Sequence, residues 1–397
     1  MNRVLLVDDE PNVVQGLTRM MRCVRDEYET RYALSGAEAL RIMAEWPADV
    51  VVSDMRMPGM NGVELLNQVA AEYPEAVRLI LSGHTDREVI MQSAVVAHQF
   101  LSKPCDAQTL VNTLRRAASV RSLLQEPAIR NAVGRTMQLP CLSTTYDNLM
   151  VVLGTPGCSA NDVAGVVSKD VVLTAKVMQL VNSGFFGAAR RVDSIVDAIT
   201  CLGIEVVRAL VATIEAFDGF KATFDDAKIR GVFHHSLRVA ELARNIANFE
   251  GLSVADQEDA LLAGMLHDIG KLVLARAYPD KYTEALDSDG ELWPDQALER
   301  YTIGASQAEV GAYLLGLWGF QIHVVEAVAF HDRPDACRAP VFSLTTIIHA
   351  ANVLADVPAD QPFQGSLRLD YEYLRCVGKL ENVSSWAGLD KEPRRAA

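Results

Sequence analysis

Two aspartates, Asp8 and Asp9, follow a short apolar run near the start of the chain, and a third, Asp54, follows another. Ser82 closes a further apolar run, and Lys103, ahead of Pro104, closes the next. Carboxylates gathered at one edge repel each other unless a divalent cation sits among them. Oxygen-only ligands select Mg²⁺, which keeps several waters and leaves room for a phosphate oxygen. A carboxylate beside that ion is a competent nucleophile toward a phosphoryl group, because positioning and charge neutralisation are most of what the transfer needs. Asp54 is the expected phospho-acceptor. Ser82 can donate a hydrogen bond to the phosphoryl group, and Lys103 supplies the balancing positive charge.

A second set of chemical residues lies further on. His234 and His235 lead one helical stretch, and His267–Asp268 ends another. Helical phasing puts His235 above Val239, Leu242 and Ile246, an apolar stripe, and His234 above Arg238 and Glu241. His235 is therefore expected to point inward and His234 outward. An inward imidazole and an adjacent His–Asp pair can converge as ligands for Zn, Fe or Mn. They can equally form a buried polar network in which Asp268 accepts hydrogen bonds from both histidines.

These residues need elements to hold them. The apolar runs Val4–Val7, Thr30–Ala33, Val50–Ser53, Arg78–Ser82 and Gln99–Ser102 alternate with helix-length segments such as Glu38–Glu45 and Gly62–Tyr73. This alternation predicts a doubly wound α/β fold, a five-stranded parallel sheet with helices on both faces. Ligands of such sheets sit outside the carboxyl ends of the strands. From about Arg135 onward the pattern is helical, which predicts an all-α second part. Pro127 and Gly134 are read as interrupting the helical pattern between the two. Leu110, Leu114, Ala117 and Leu124 share one face of a helix expected to run on as a short connector. The expected division is an α/β domain at 1–122, a connecting helix or linker at 123–134 and a helical domain at 135–355. Additional C-terminal helices at 356–390 and a charged, disordered tail at 391–397 complete it.

The pieces VLLVDDE, VVVSDMRMPGMNG, LILSG and FLSKP together resemble the receiver domain of bacterial two-component response regulators, which have a flavodoxin-like fold. The resemblance implies phosphorylation of Asp54 by a histidine kinase, with Mg²⁺ held by Asp8, Asp9, Asp54 and the backbone carbonyl of Arg56. It implies a cis peptide before Pro104. It also implies a switch: the Ser82 hydroxyl moves inward on phosphorylation and Phe100 follows, repacking the face made by the fourth helix, the fifth strand and the last helix. Phe100 departs from the pattern in having no hydroxyl to reach a partner when it points outward.

The segment LLAGMLHDIGKLVL resembles the HDOD branch of the HD superfamily, a relative of the HD-GYP phosphohydrolases. So do VVSKDVVLTAKVMQLVNSGFFGAARRVDSIVDAITCLG, AEVGAYLLGLWGF and FHDRP, and the resemblance runs from about Leu139 to Asn352. Gln307 stands where active relatives have a His. Their histidine pair is reduced to Phe330–His331, and Asn352 replaces a late Asp. The remaining HD-site residues His235, His267, Asp268 and His331 are thus a degenerate set, able at most to retain a residual transition metal and unable to build a two-metal clamp.

Two functions follow. One is a response regulator whose HDOD module binds a protein partner or a signalling nucleotide without turning anything over. The alternative is a receiver-gated, metal-dependent phosphodiesterase acting on a cyclic dinucleotide or nucleotide. The missing ligands favour the first. Two routes would carry the signal onward: a homodimer through the connecting helix, or a receiver that packs on the HDOD module and releases it.

The remaining composition fits this class. The 397 residues carry a formal net charge of −14, which disfavours a DNA-coating surface, and no basic recognition helix is found. Seven cysteines stand singly with no CxxC pair, as expected of free thiols in a reducing compartment. MNRVLLVDDE reads as a strand rather than a signal peptide, and no apolar stretch reaches the length of a membrane span. A cytoplasmic protein is expected. Arg190–Arg191 is read as a solvated helix start, and Trp318-Gly319-Phe320 as core packing.

Overall fold

The computed structural model describes residues 2–83, 96–123, 126–136, 139, 141–183, 185, 192–213, 226–283, 296–337, 341–357, 363 and 365–389. The chain divides into two compact units. The first comprises Met1–Phe220 with Tyr313–Phe320, and the second Lys221–Ala312 with Gln321–Ala397.

The first unit opens with β1 (Asn2–Val7), α1 (Pro11–Met21), β2 (Tyr28–Ala33), α2 (Gly36–Glu45), β3 (Val50–Asp54), α3 (Gly62–Glu72), β4 (Val77–Gly83), β5 (Gln99–Lys103) and α4 (Ala107–Leu123). The strands form one parallel sheet in the order β2-β1-β3-β4-β5. That is the flavodoxin-like order, whose switch point lies between β1 and β3. Val4–Val7 and Val50–Val52 are buried throughout, as continuous apolar strands covered on both faces must be. The sheet therefore matches the α/β expectation. The fourth helix of that expectation falls in residues 84–95, outside the described residues.

Among the described residues six helices follow in the same unit: α5 (Pro127–Arg135), α6 (Ser143–Gly154), α7 (Ala160–Val167), α8 (Val171–Val181), α9 (Ile195–Leu202) and α10 (Ile204–Thr213). Every residue of α8 is buried, which explains its nearly uninterrupted apolar sequence. Here the structure corrects the reading of the junction. Pro127 does stand at the break, opening α5 after α4 ends at Leu123, since the first helical position has no use for the N–H that proline lacks; the correction concerns Gly134. Gly134 lies inside α5, where a Cβ would come within 1.9 Å of the Pro74 carbonyl oxygen. Close approach, not chain breaking, requires that glycine.

The second unit is helical, with α11 (Asp226–Phe249), α12 (Val254–Leu266), α13 (Ile269–Ala277), α14 (Gln296–Thr302), α15 (Gln307–Leu317), α16 (Ile322–Phe330), α17 (Leu344–Leu354), α18 (Tyr371–Cys376) and α19 (Val383–Trp386). The last turns of α15 group with the first unit. Among the described residues no helix is long and apolar enough to cross a membrane. The described cysteines are all free. Arg190–Arg191 and the 391–397 tail lie outside the described residues.

Candidate functional site

Asp8 directly follows β1 and Asp54 ends β3, neighbouring strands at the switch point, so the topology alone brings the two carboxylates together. Both are buried. The ammonium of Lys103, at the end of β5, donates to Asp8 Oδ2 at 2.6 Å and is ion-paired with Asp54. Backbone amides hold the carboxylates in place: Arg56 N donates to Asp54 Oδ2 at 3.1 Å, and Glu10 N to Asp8 Oδ1 at 3.0 Å. Burial raises the Asp54 pKa; Lys103 works against it, and the Asp8 charge adds to it. Burial would depress the Lys103 ammonium, but its bonds to Asp54 and Asp8 outweigh that and raise it.

Asp9 is half-buried beside this pair and Arg56 is exposed. Ser82 is fully buried in β4, its hydroxyl 3.5 Å from the Gly83 carbonyl, and Phe100 is fully buried in β5 opposite Ile80. The Lys103–Pro104 peptide is cis. Oxygen donors at the centre, with a cation at one side, are the chemistry that suits a hard divalent ion.

The second cluster lies wholly in the second unit. His235 points inward from α11 and His234 outward. His267 caps the end of α12 and Asp268 begins α13. The rings of His235 and His267 are 5.3 Å apart, and His331, at the end of α16, is 5.0 Å from His267. One ligand atom from each of His235, His267 and Asp268 lies within 4.8 Å of the others. Three of the four degenerate-site residues are thus in metal-binding range, and His331 packs edge-on against them.

Asp268, His235 and His331 are already engaged. Lys271 Nζ donates to Asp268 Oδ2 at 2.7 Å. His235 faces Asp356 through Nδ1 at 3.2 Å and Asn352 Oδ1 through Nε2 at 2.9 Å. His331 Nε2 lies 3.3 Å from Asp332 Oδ2 and 3.3 Å from the Gln307 amide nitrogen. Asn352 Nδ2 also donates to Asp332 Oδ1 at 3.1 Å. Asn352 is thus a bridge between His235 and Asp332, which a carboxylate in its place could not be, since it has no N–H to donate.

Protonation follows these partners. Burial lowers His267 to about 3, leaving it neutral, and its Nδ1 lies 2.7 Å from the Gly264 carbonyl, which places the proton there and the lone pair on Nε2. Burial works against a charge on His331 and His235, but Asp332 and Asp356 respectively outweigh it and raise both. Burial would raise Asp268 too; the Lys271 ammonium and the positive His235 and His331 rings hold it well below the usual carboxylate range.

Asp332 and Asp356 were missed by sequence reasoning. For Asp332 a signal existed. His267–Asp268 and His331–Asp332 are two His–Asp pairs, each closing a helix, and each histidine's Nδ1 lies within 2.8 Å of the carbonyl three residues back. Asp356 follows α17 with no motif around it.

An α/β sheet with this acidic edge and lysine, joined to helices carrying a histidine–aspartate cluster, defines a class: a receiver-type signalling domain attached to an HD-type module. The family models make the assignment particular. The response regulator receiver domain matches residues 4–115 and the HDOD domain residues 139–334. The chain is a response regulator in which a receiver domain precedes an HDOD domain. A receiver domain implies a histidine kinase as partner and Mg²⁺ as the ion used in phosphorylation.

Among relatives, an uncharacterized protein of Treponema pallidum (strain Nichols) is 22% identical over 289 residues, 72% of this chain and 53% of that one. The hydrogenase transcriptional regulatory protein HoxA of Cupriavidus necator is 35% identical over 122 residues, 30% of this chain and 25% of HoxA. The chain therefore spans about half the first relative and a quarter of the second. Among solved structures, the MmoQ response regulator of Methylococcus capsulatus str. Bath has 26% identity and a TM-score of 0.48, covering 63% of this chain and 98% of MmoQ.

Proposed function

We propose that Asp54 accepts a phosphoryl group from a histidine kinase and that the HDOD module reads the change out by binding a partner, with no turnover of its own. Asp8, Asp9, Asp54 and the Arg56 carbonyl would hold Mg²⁺, which neutralises charge on the incoming phosphoryl oxygens. Lys103 positions the Asp54 carboxylate, and Ser82, with Phe100 behind it, is the switch pair.

The observation that carries the binding reading is the state of the HD cluster. Asp268 is charge-balanced by Lys271, His235 has both ring nitrogens engaged, and His331 faces Asp332. With these partners in place the cluster does not call for a bridging metal pair, and Gln307 and Asn352 could not complete one. The test is beryllium fluoride titration with Mg²⁺, expected to saturate one site in the wild type and none in Asp54→Asn. Incubation with cyclic di-GMP and Mn²⁺ should give no product. Turnover lost in His267→Ala would overturn the binding reading.

One observation favours a second reading, a single residual transition metal. His267 Nε2 is buried and finds no hydrogen-bond partner, and it lies among the atoms within range of His235 and Asp268. A lone pair left so is the donor a metal would take. Metal analysis of purified protein decides it: stoichiometric Zn, Fe or Mn lost in His267→Ala supports it, and its absence removes it.

A further inference from the structure

We infer that the start of β5 is a latch. Gln179 of α8 and Gln99 of β5 bridge strand and helices in opposite directions and hold β5 where Lys103 reaches Asp54. This rests on the reading of Asp54 as phospho-acceptor and adds to it the residues that position its lysine from outside the sheet.

β5 is an edge strand, so its outer backbone groups have no strand neighbour. Just before it, the peptide carbonyls of Ala97 and His98 accept hydrogen bonds from Gln179 Nε2, at 3.4 and 2.9 Å. Gln179 is almost completely buried, and its own Oε1 accepts from Lys176 Nζ at 3.1 Å. The Lys176 ammonium in turn lies 4.2 Å over the Trp318 ring. In the other direction Gln99 Nε2 donates to the Leu317 carbonyl at 2.7 Å. Leu317 ends α15, where a helix leaves its last carbonyls without intrahelical donors. Arg116 of α4 adds a bond to the Gly319 carbonyl at 2.9 Å. Gly316 lets these segments close up, since a Cβ there would lie 2.6 Å from Val120. All of these contacts fall within the first unit.

Buried amides are costly to leave unpaired. A shift of β5 by a fraction of a peptide would strand the Gln179 amide and the Leu317 carbonyl together, so the strand is either latched or released rather than free to slide. The strand is short, Gln99–Lys103, with the latch at its first residue. Phe100 is the second, and the fifth is the lysine whose ammonium holds Asp54 and Asp8. Opening the latch therefore loosens Lys103. By reciprocity, a phosphoryl group at Asp54 that draws on Lys103 must tighten the latch by the same factor.

The test uses the full chain, beryllium fluoride with Mg²⁺, and the volume-conserving variants Gln179→Met and Gln99→Met, which lose the donors and keep the packing. Each variant should bind the analogue at least about fivefold more weakly than wild type. In the wild type, beryllium fluoride should also slow amide hydrogen exchange across Tyr313–Phe320, and this protection should vanish in Gln179→Met. A merely structural role for the glutamines would not produce that second response. Saturable wild-type binding with variant affinities within twofold or tighter, or with exchange at Tyr313–Phe320 unchanged, would overturn the latch alone. No binding by wild type, or equal binding by Asp54→Asn, would overturn the phospho-acceptor reading and the latch with it.

Discussion

At Asp54 the carboxylate sits under opposed influences: burial and Asp8 push its pKa up, while Lys103 and the Arg56 amide pull it down. Its backbone is as constrained as its charge. A Cβ added at Gly62 would lie 2.1 Å from the Asp54 carbonyl oxygen, so Gly62→Ala must shift the end of β3. We expect that variant to weaken beryllium fluoride binding at least about tenfold, since small misplacements at a reacting centre are expensive; titration calorimetry against wild type checks it. A different buried acid contributes to pH behaviour. Glu299 accepts a bond from Gln307 N and shares one with Tyr282, and burial raises it from 4.5 to about 8. A raised acid binds its proton more tightly in the folded state. Its stabilising effect is full below about pH 4.5 and is lost as pH rises through about 8, at up to ~1.4 kcal/mol per unit. Glu299→Gln should flatten that decline, read as denaturant midpoints between pH 5 and 9; an unchanged slope would reject the assignment. Legibility at this scale divides by mechanism. Asp8, Asp54, Ser82 and Lys103 could be read because each ends a strand, and strand ends at a parallel sheet's edge converge. Asp332 and Asp356 could not be read that way, because their places depend on where helix ends meet in space.

Among the elements, most strands were legible as apolar runs, though β2, YETRYA, is half polar, and the helices of the second half by their period. What escaped was part of the junction, where Gly134 looked like a breaker. The sequence carries the residue types, but not the Pro74 carbonyl that makes Gly134 necessary. The C-terminal helices, read as additions, have a definite anchor. Glu250, just past α11, has an almost fully buried carboxylate that takes Lys379 as an ion pair, Asn382 Nδ2 at 2.6 Å and Trp386 Nε1 at 2.9 Å. Trp386 is fully buried. Three donors from one short stretch on a single carboxylate make that stretch part of the domain's core. Burial would raise Glu250, but the bonds from Lys379, Asn382 and Trp386 together outweigh it and lower its pKa. Glu250→Ala leaves those donors without their acceptor and should lower Tm by roughly 5 °C. Truncation after Gly378 should lower it further. Scanning calorimetry of both would expose the anchor as unimportant if neither moved Tm.

For the whole molecule the question is how a charge change at Asp54 becomes an output. A near-complete switch requires differential stabilisation of roughly 5 kcal/mol, so several contacts must change together. Two routes were open from sequence, a homodimer through the connecting helix and packing of the receiver on the HDOD module. The first unit now bears on the choice, because the start of β5 is covered from within: Gln179 occupies the Ala97 and His98 carbonyls, Gln99 is bonded to Leu317, and Arg116 to Gly319. A dimer built on that face would first have to break these buried bonds and leave polar groups unpaired, at about 1–3 kcal/mol for each. Saturating Asp54 with beryllium fluoride should accordingly leave the solution mass at the wild-type value measured without it, and Asp54→Asn should match both. Light scattering over a range of protein concentrations is the measurement. A mass that doubles on adding the analogue to wild type but not to Asp54→Asn would support the homodimer route, and the intramolecular route would have to be abandoned.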